Sequence, residues 1–213
     1  FKGVTIINNL MMEIRDRSNV LHKATENTGF TKRLLDKNAT IESYAEYIYN
    51  LYYVYQAIEN NLENLKDIET IAPFATPELY RSDFIKEDLK NIISTTSFKP
   101  LSSTIAYVDK INHACAKNPK LIIAHAYTRF LADLFGGRIF YSLLKDHYNI
   151  NNDSLNYYSY KDLGDMKAYV MTYHNMLNTL TLTVEEKEEF IIEICNSYIY
   201  NMAISNELDS KCF

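Results

Sequence analysis

The stretch ESYAEYIYNLYYVYQAIENNLENL, residues 42–65, constrains this chain more than any other. Tyr44, Ile48, Leu51, Tyr55, Ile58 and Leu62 recur there at steps of three or four, so they share one face of a helix and cannot share one face of a strand. The same period dominates elsewhere and predicts helices near 4–28, 29–37, 40–66, 77–93, 101–117, 119–147, 163–179 and 183–210. Thr183 and Glu186 form the S/T-x-x-E pattern that starts the last of them. No Asn-Gly or Asp-Gly turn joins alternating runs, so no β-hairpin is signalled. Breaks are few: prolines 73, 77, 100 and 119, and the polar NINNDS at 149–154. With no internal repeat and no low-complexity linker, the 213 residues read as one all-α domain spanning 1–213.

Charge and composition exclude several classes of function. A formal net charge of −5 argues against a broad electrostatic grip on nucleic acid or anionic lipid. No apolar run approaches the roughly 20 residues that span a bilayer. Phe1 is not an initiator methionine, so a trimmed chain or a removed presequence is expected, and no apolar anchor follows the last helix. The three cysteines, 115, 195 and 212, show no metal-type spacing. A soluble protein of a reducing compartment is expected, either the cytoplasm or an organelle interior.

Few residues stand out for chemistry. There is no Glu-x-x-His pair for a di-iron site, no His-Glu-x-x-His for zinc, no nucleophile elbow and no phosphate-binding glycine loop. His22 alone, on a partly apolar helix, reads equally as a structural or surface histidine. In AHAYTRFLADLFGG, residues 124–137, an ionisable Asp133 stands among apolar neighbours one turn before two of the chain's five glycines. Each glycine costs a helix about 1 kcal/mol relative to alanine. Gly136 and Gly137 therefore either permit close helix packing or open backbone to a flat ligand.

HAYTRFLADLFGG resembles the distal-helix signature of the heme oxygenases, H-x-Y-x-R-Y-L-G-D-L-S-G-G. The stretch from His22 to Phe30 resembles that family's proximal H-x-x-A-E-N-x-x-F. Residues 50–63, 77–89 and 198–208 are similar to three further segments of the family, in the family's order. The resemblance implies an all-helical fold that sandwiches heme between a proximal and a distal helix. It implies cleavage of heme, both cofactor and substrate, to biliverdin, carbon monoxide and ferrous iron. O2 and an external electron donor of the reductase or ferredoxin type are the implied co-reactants, and a monomer is the default.

The resemblance also assigns roles. His22 falls on the proximal iron ligand, and Glu26 on its supporting partner. Asp133 falls on the carboxylate that orders a distal water for proton delivery to iron-bound oxygen, and Tyr55, Arg129 and Asn201 fall on the surrounding network. Tyr127, Tyr198, Gly136 and Gly137 line the heme, the glycines by letting the distal helix kink close to it. Arg15 falls on a propionate-binding position. Asn19, Val170 and His174 stand where the family carries Lys or Arg, and Lys167 on the face of Val170 is a substitute. Two further departures, Ala132 for a glycine and Phe135 for a serine, add bulk on the distal helix. They keep open a heme-binding or sensing protein without turnover, or a helical interaction protein that retains only the fold.

Overall fold

The computed structural model describes residues 9–94 and 97–211. Residues 4–8 of the first expected helix, and Cys212, lie outside the described residues. Eight α-helices follow in order among the described residues: α1 (Leu10–Glu26), α2 (Gly29–Leu35), α3 (Ile41–Leu65), α4 (Ser82–Ile92), α5 (Ser102–Lys117), α6 (Leu121–Asp146), α7 (Met166–Asn178) and α8 (Val184–Asp209). No strand occurs among the described residues.

The periodic stripe does what its spacing requires. Tyr44, Ile48, Leu51, Tyr55, Ile58 and Leu62 are all buried, and α3 packs against α4, α5 and α6. Residues of all eight helices contribute to one apolar cluster. The final helix α8 runs through the middle of the arrangement, with α1, α2, α5 and α6 packed along it. The Thr183–Glu186 capping box forms as read, with both reciprocal bonds present. A second box, Thr40 with Ser43, starts α3.

Two boundaries differ from the periodic reading, for tertiary reasons. Residues 77–93 are not one helix: a 3₁₀ turn, Pro77–Leu79, is followed by extended Tyr80 (ψ 137°) and then α4. The buried Arg81 guanidinium takes the carbonyls of Glu78, Tyr80 and Ser159, so those acceptors are unavailable to a continuous helix. Glu59 of α3 accepts from the backbone N–H groups of Arg81 and Ser82 and caps α4 from outside. α7 begins at Met166 because Gly164 is left-handed (φ +64°) and Asp165 caps the helix by accepting from Ala168 N–H at 2.9 Å. Three short 3₁₀ turns, Asn152–Ser154, Asn156–Tyr158 and Lys161–Leu163, occupy the link between α6 and α7.

Candidate functional site

α6 runs without interruption from Leu121 to Asp146, through both glycines, and carries the centre of the site. Asp133 is 7% exposed, and Arg129, one turn earlier on the same helix, is equally buried. The guanidinium reaches the carboxylate at both oxygens, Nη2 on Oδ1 and Nε on Oδ2, the latter at 3.3 Å. The Tyr55 hydroxyl of α3 also donates to Oδ2. So does the hydroxyl of Tyr157, from the 3₁₀ turn Asn156–Tyr158. Burial, and then the Asp133 charge, push both phenols well above their usual range, so both stay protonated donors. Burial alone would lower the Arg129 guanidinium, but the Asp133 charge outweighs it and holds it charged.

A second shell fixes Arg129. Its Nη1 donates to Asn201 Oδ1 at 2.7 Å, and Asn201 Nδ2 donates to the Ser197 carbonyl at 2.8 Å. Asn201 also approaches the Tyr107 hydroxyl at 3.5 Å. That hydroxyl sits 2.6 Å from Ser197 Oγ and 3.3 Å from His125 Nδ1. His125 Nε2 lies 2.9 Å from Glu193, which Lys110 also pairs at 3.0 Å. Burial lowers the His125 pKa, so the imidazole is neutral, its Nε2–H donating to Glu193 and its Nδ1 left to accept. Burial would raise Glu193, but His125, Lys110 and Asn196 hold it below the usual carboxylate range.

The loop that brings Tyr157 over Asp133 is itself held from α4. Asp88, fully buried, accepts from Asn156 N–H at 2.9 Å and Tyr157 N–H at 2.8 Å. Arg81 binds the Ser159 carbonyl at 2.7 Å. Residues 77–89, singled out in the sequence as one segment, thus hold the far side of the Asp133 cluster.

The sequence-derived residues fall into two groups. Tyr55, Arg129, Asp133 and Asn201 form one buried network. His22, Glu26, Arg15, Tyr127, Tyr198, His174 and Lys167 lie outside that network on α1, α6, α7 and α8, Tyr198 buried and the others half-buried or exposed. His22, Glu26, Arg15 and Asn19 are all exposed on α1 at helical spacing. His22 Nε2 is 3.8 Å from Glu26, an electrostatic neighbour beyond hydrogen-bond reach, and its ring meets Tyr198 edge-on at 5.8 Å. Arg15 is close enough to Tyr127 and His174 to act on both electrostatically. Burial raises the Tyr127 phenol against that influence, while burial first and then Arg15 lower His174. Val170 shares the buried stripe of α7 with Tyr173 and Leu177, whereas Lys167 in the first turn is exposed. The two do not share an environment: Val170 is buried, while Lys167 points to solvent beside the core-packed Met166.

The two glycines differ. A Cβ on Gly136 would meet only the Phe140 ring, at 3.6 Å, whereas one on Gly137 would press the buried Tyr158 ring at 3.2 Å. Gly137 therefore accommodates close packing, and Gly136 lies on the open side. Beside Gly136, Ala132, Phe135 (60% exposed) and Ile139 (63% exposed) form an apolar strip next to Asp133. α1 and α6 both pack on α8, so the exposed His22 face and this strip flank a shared support. Contiguous exposed apolar surface beside a buried polar cluster is what a flat, largely apolar ligand would cover. Sequence reasoning missed Tyr157, Tyr107, Glu193 and the part played by His125. His125 lies within the quoted motif, but nothing marked Tyr157 among 18 tyrosines.

Comparison with known proteins bears on what that ligand is. The family model described as heme oxygenase matches residues 8–207. The heme oxygenase of Porphyra purpurea is 32% identical over 215 residues, covering 97% of this chain and 89% of its own. Heme oxygenase 1 of Synechocystis is 31% identical over 206 residues, covering 95% and 86%. The crystal structure of that Synechocystis enzyme in complex with heme superposes with a TM-score of 0.90 at 30% identity, covering 96% of this chain and 94% of that one.

Proposed function

The chain belongs to the heme oxygenase family, and on that premise we infer how its residues serve the oxidative cleavage of heme to biliverdin, carbon monoxide and ferrous iron. Heme is the substrate and brings the iron that binds and reduces O2; electrons come from an external reductase or ferredoxin-type donor. The protein holds the macrocycle, orients it and supplies a proton on its distal side.

His22 would hold the heme iron. Heme iron takes a single accessible imidazole from a protein, and that of His22 stands exposed on α1 beside Glu26 and Tyr198. Glu26, one turn later and 3.8 Å from the ring, would steady the imidazole as its neighbour. Tyr198 fixes its plane from α8. The exposed strip of Ala132, Phe135, Gly136 and Ile139 would cover the macrocycle, with Gly136 leaving backbone open to it. Arg15 meets the propionates, with His174 beside it and Lys167 at the end of α7. Asp133 would order a distal water, and Arg129 and Tyr55, with Asn201 behind Arg129, hold its carboxylate in place for this.

The observation that carries this reading is the Asp133 cluster. A buried carboxylate fixed by one guanidinium and two phenols stands directly beside an exposed apolar strip, which a protein keeping only its fold has no need to maintain. Phe135, whose ring points out along that strip, favours the second reading of heme binding without turnover.

One absorption experiment separates the two. Hemin titration should give a saturating 1:1 Soret shift, and reductant in air should then bleach it as the red biliverdin band rises. A Soret shift that persists without bilin would establish binding without turnover. His22→Ala should lose the histidine-type spectrum; an unchanged spectrum would remove His22 as the ligand.

A further inference from the structure

Tyr157 touches the carboxylate at the centre of the site, yet no motif pointed to it. We propose that Tyr157 is a positioning residue that decides which oxygen of Asp133 can hold a distal water. The proposal rests on the heme oxygenase reading above and concerns how its proton is delivered.

An ionised carboxylate has about four acceptor positions, two on each oxygen. Oδ2 takes the Tyr55 hydroxyl, the Tyr157 hydroxyl and Arg129 Nε, whereas Oδ1 takes Arg129 Nη2 alone. Oδ2 is therefore full, and one position remains on Oδ1. Without the Tyr157 hydroxyl, Oδ2 would keep the Tyr55 hydroxyl and only the long 3.3 Å contact from Arg129 Nε, which a water could displace.

Tyr157 cannot swing away to open it. Its side chain is fully buried, edge-on to Tyr55 at 5.8 Å and 4.4 Å from the Tyr158 ring. Its backbone N–H is fixed by Asp88 at 2.8 Å. Among the described residues its hydroxyl has Asp133 as its hydrogen-bond partner, so turning it away would strand a buried polar group. Tyr55 comes from α3 and Tyr157 from the link after α6. The Asp133 acceptor pattern is thus set by two segments that meet only in the folded chain.

The test is Tyr157→Phe, read first in the heme-free protein. Infrared difference spectra of protein with ¹³C-labelled aspartate, with the Asp133 band identified by its loss in Asp133→Asn, should show the carboxylate stretches shifted. In the ferric heme complex, loss of a phenol dipole whose positive end faces Asp133 makes the distal side more negative and disfavours the alkaline form. The acid–alkaline midpoint should rise by about one pH unit. Heme affinity should change less than twofold, while the rate of biliverdin formation falls several-fold. Tyr173→Phe, which deletes a buried hydroxyl that has no partner, is the control and should leave all of these unchanged. 3-Fluorotyrosine at position 157 keeps the shape and strengthens the donor, and should move the midpoint the other way. An unshifted carboxylate band and midpoint in Tyr157→Phe, or a fluorotyrosine shift of the same sign, would overturn the assignment. Failure of the wild-type protein to bind heme would overturn the functional reading instead, and the heme-free infrared result would still decide the role of Tyr157.

Discussion

Replacing Asp133 by asparagine is the sharpest test of the central cluster, because it keeps the shape and removes one charge. Arg129 and Asp133 each have side chains only 9% exposed, and in the variant the guanidinium keeps just Asn201 as a strong acceptor. Breaking a buried pair by neutralising one partner costs about 3–5 kcal/mol, because the other charge stays buried without compensation. The asparagine carbonyl still accepts from one or both phenols, so the lower end, about 3 kcal/mol, is expected. For a chain of 213 residues, at about 2–4 °C per kcal/mol, the melting temperature should fall by roughly 6–12 °C. Thermal unfolding of the heme-free protein, followed by circular dichroism, measures this without involving heme. The heme complex of Asp133→Asn should keep its histidine-type spectrum and lose most biliverdin formation. A melting point within about 2 °C of wild type would show that water already solvates the guanidinium. The pair would then not be the buried network on which the proposed proton delivery depends.

Two further outcomes follow from the same structure. Gly136→Ala should raise the heme-free melting temperature, since it gains about 1 kcal/mol of helix propensity and meets Phe140 only at an ordinary 3.6 Å. The same methyl should weaken heme binding by titration at least several-fold, and unchanged affinity would take Gly136 off the heme face. The buried His125 makes stability pH-dependent: its folded pKa is lowered, so on acidification the unfolded chain takes up a proton that the folded one refuses. That contribution is present above the ordinary histidine value of about 6.5 and is lost as pH falls through it toward the folded value. The urea midpoint should therefore drop between pH 7.5 and 5.5, and His125→Gln should flatten the drop; equal slopes would clear His125 of it.

Much of the fold was legible because helices are local. The six-residue stripe of α3 is wholly buried, and the Thr183–Glu186 box starts α8 where it was read. Each depends on residues three or four apart, so spacing in the sequence is spacing in space. The breaks were not legible where a distant side chain imposed them. Arg81 and Glu59 end one helix and begin the next, and Glu59 reaches α4 from across 22 residues of chain.

The site divides in the same way. The order of types His22, Asp133 and Arg129 along two helical motifs is written in the sequence, and with it the membership of a family. The sequence also sets Arg129 one turn before Asp133, so that pair was fixed before folding. Which tyrosines reach Asp133 was not fixed locally: Tyr55, 78 residues away, was assigned there by the family resemblance alone, and Tyr157, 24 residues away, by nothing in the sequence. Tyr107, Asn201, His125 and Glu193 likewise meet through α5, α6 and α8 packing together. A helix fixes which residues share its face, but only packing fixes what that face meets. The chemistry available to this chain was therefore set by its sequence, and the hydrogen-bond geometry that can use it by tertiary contact.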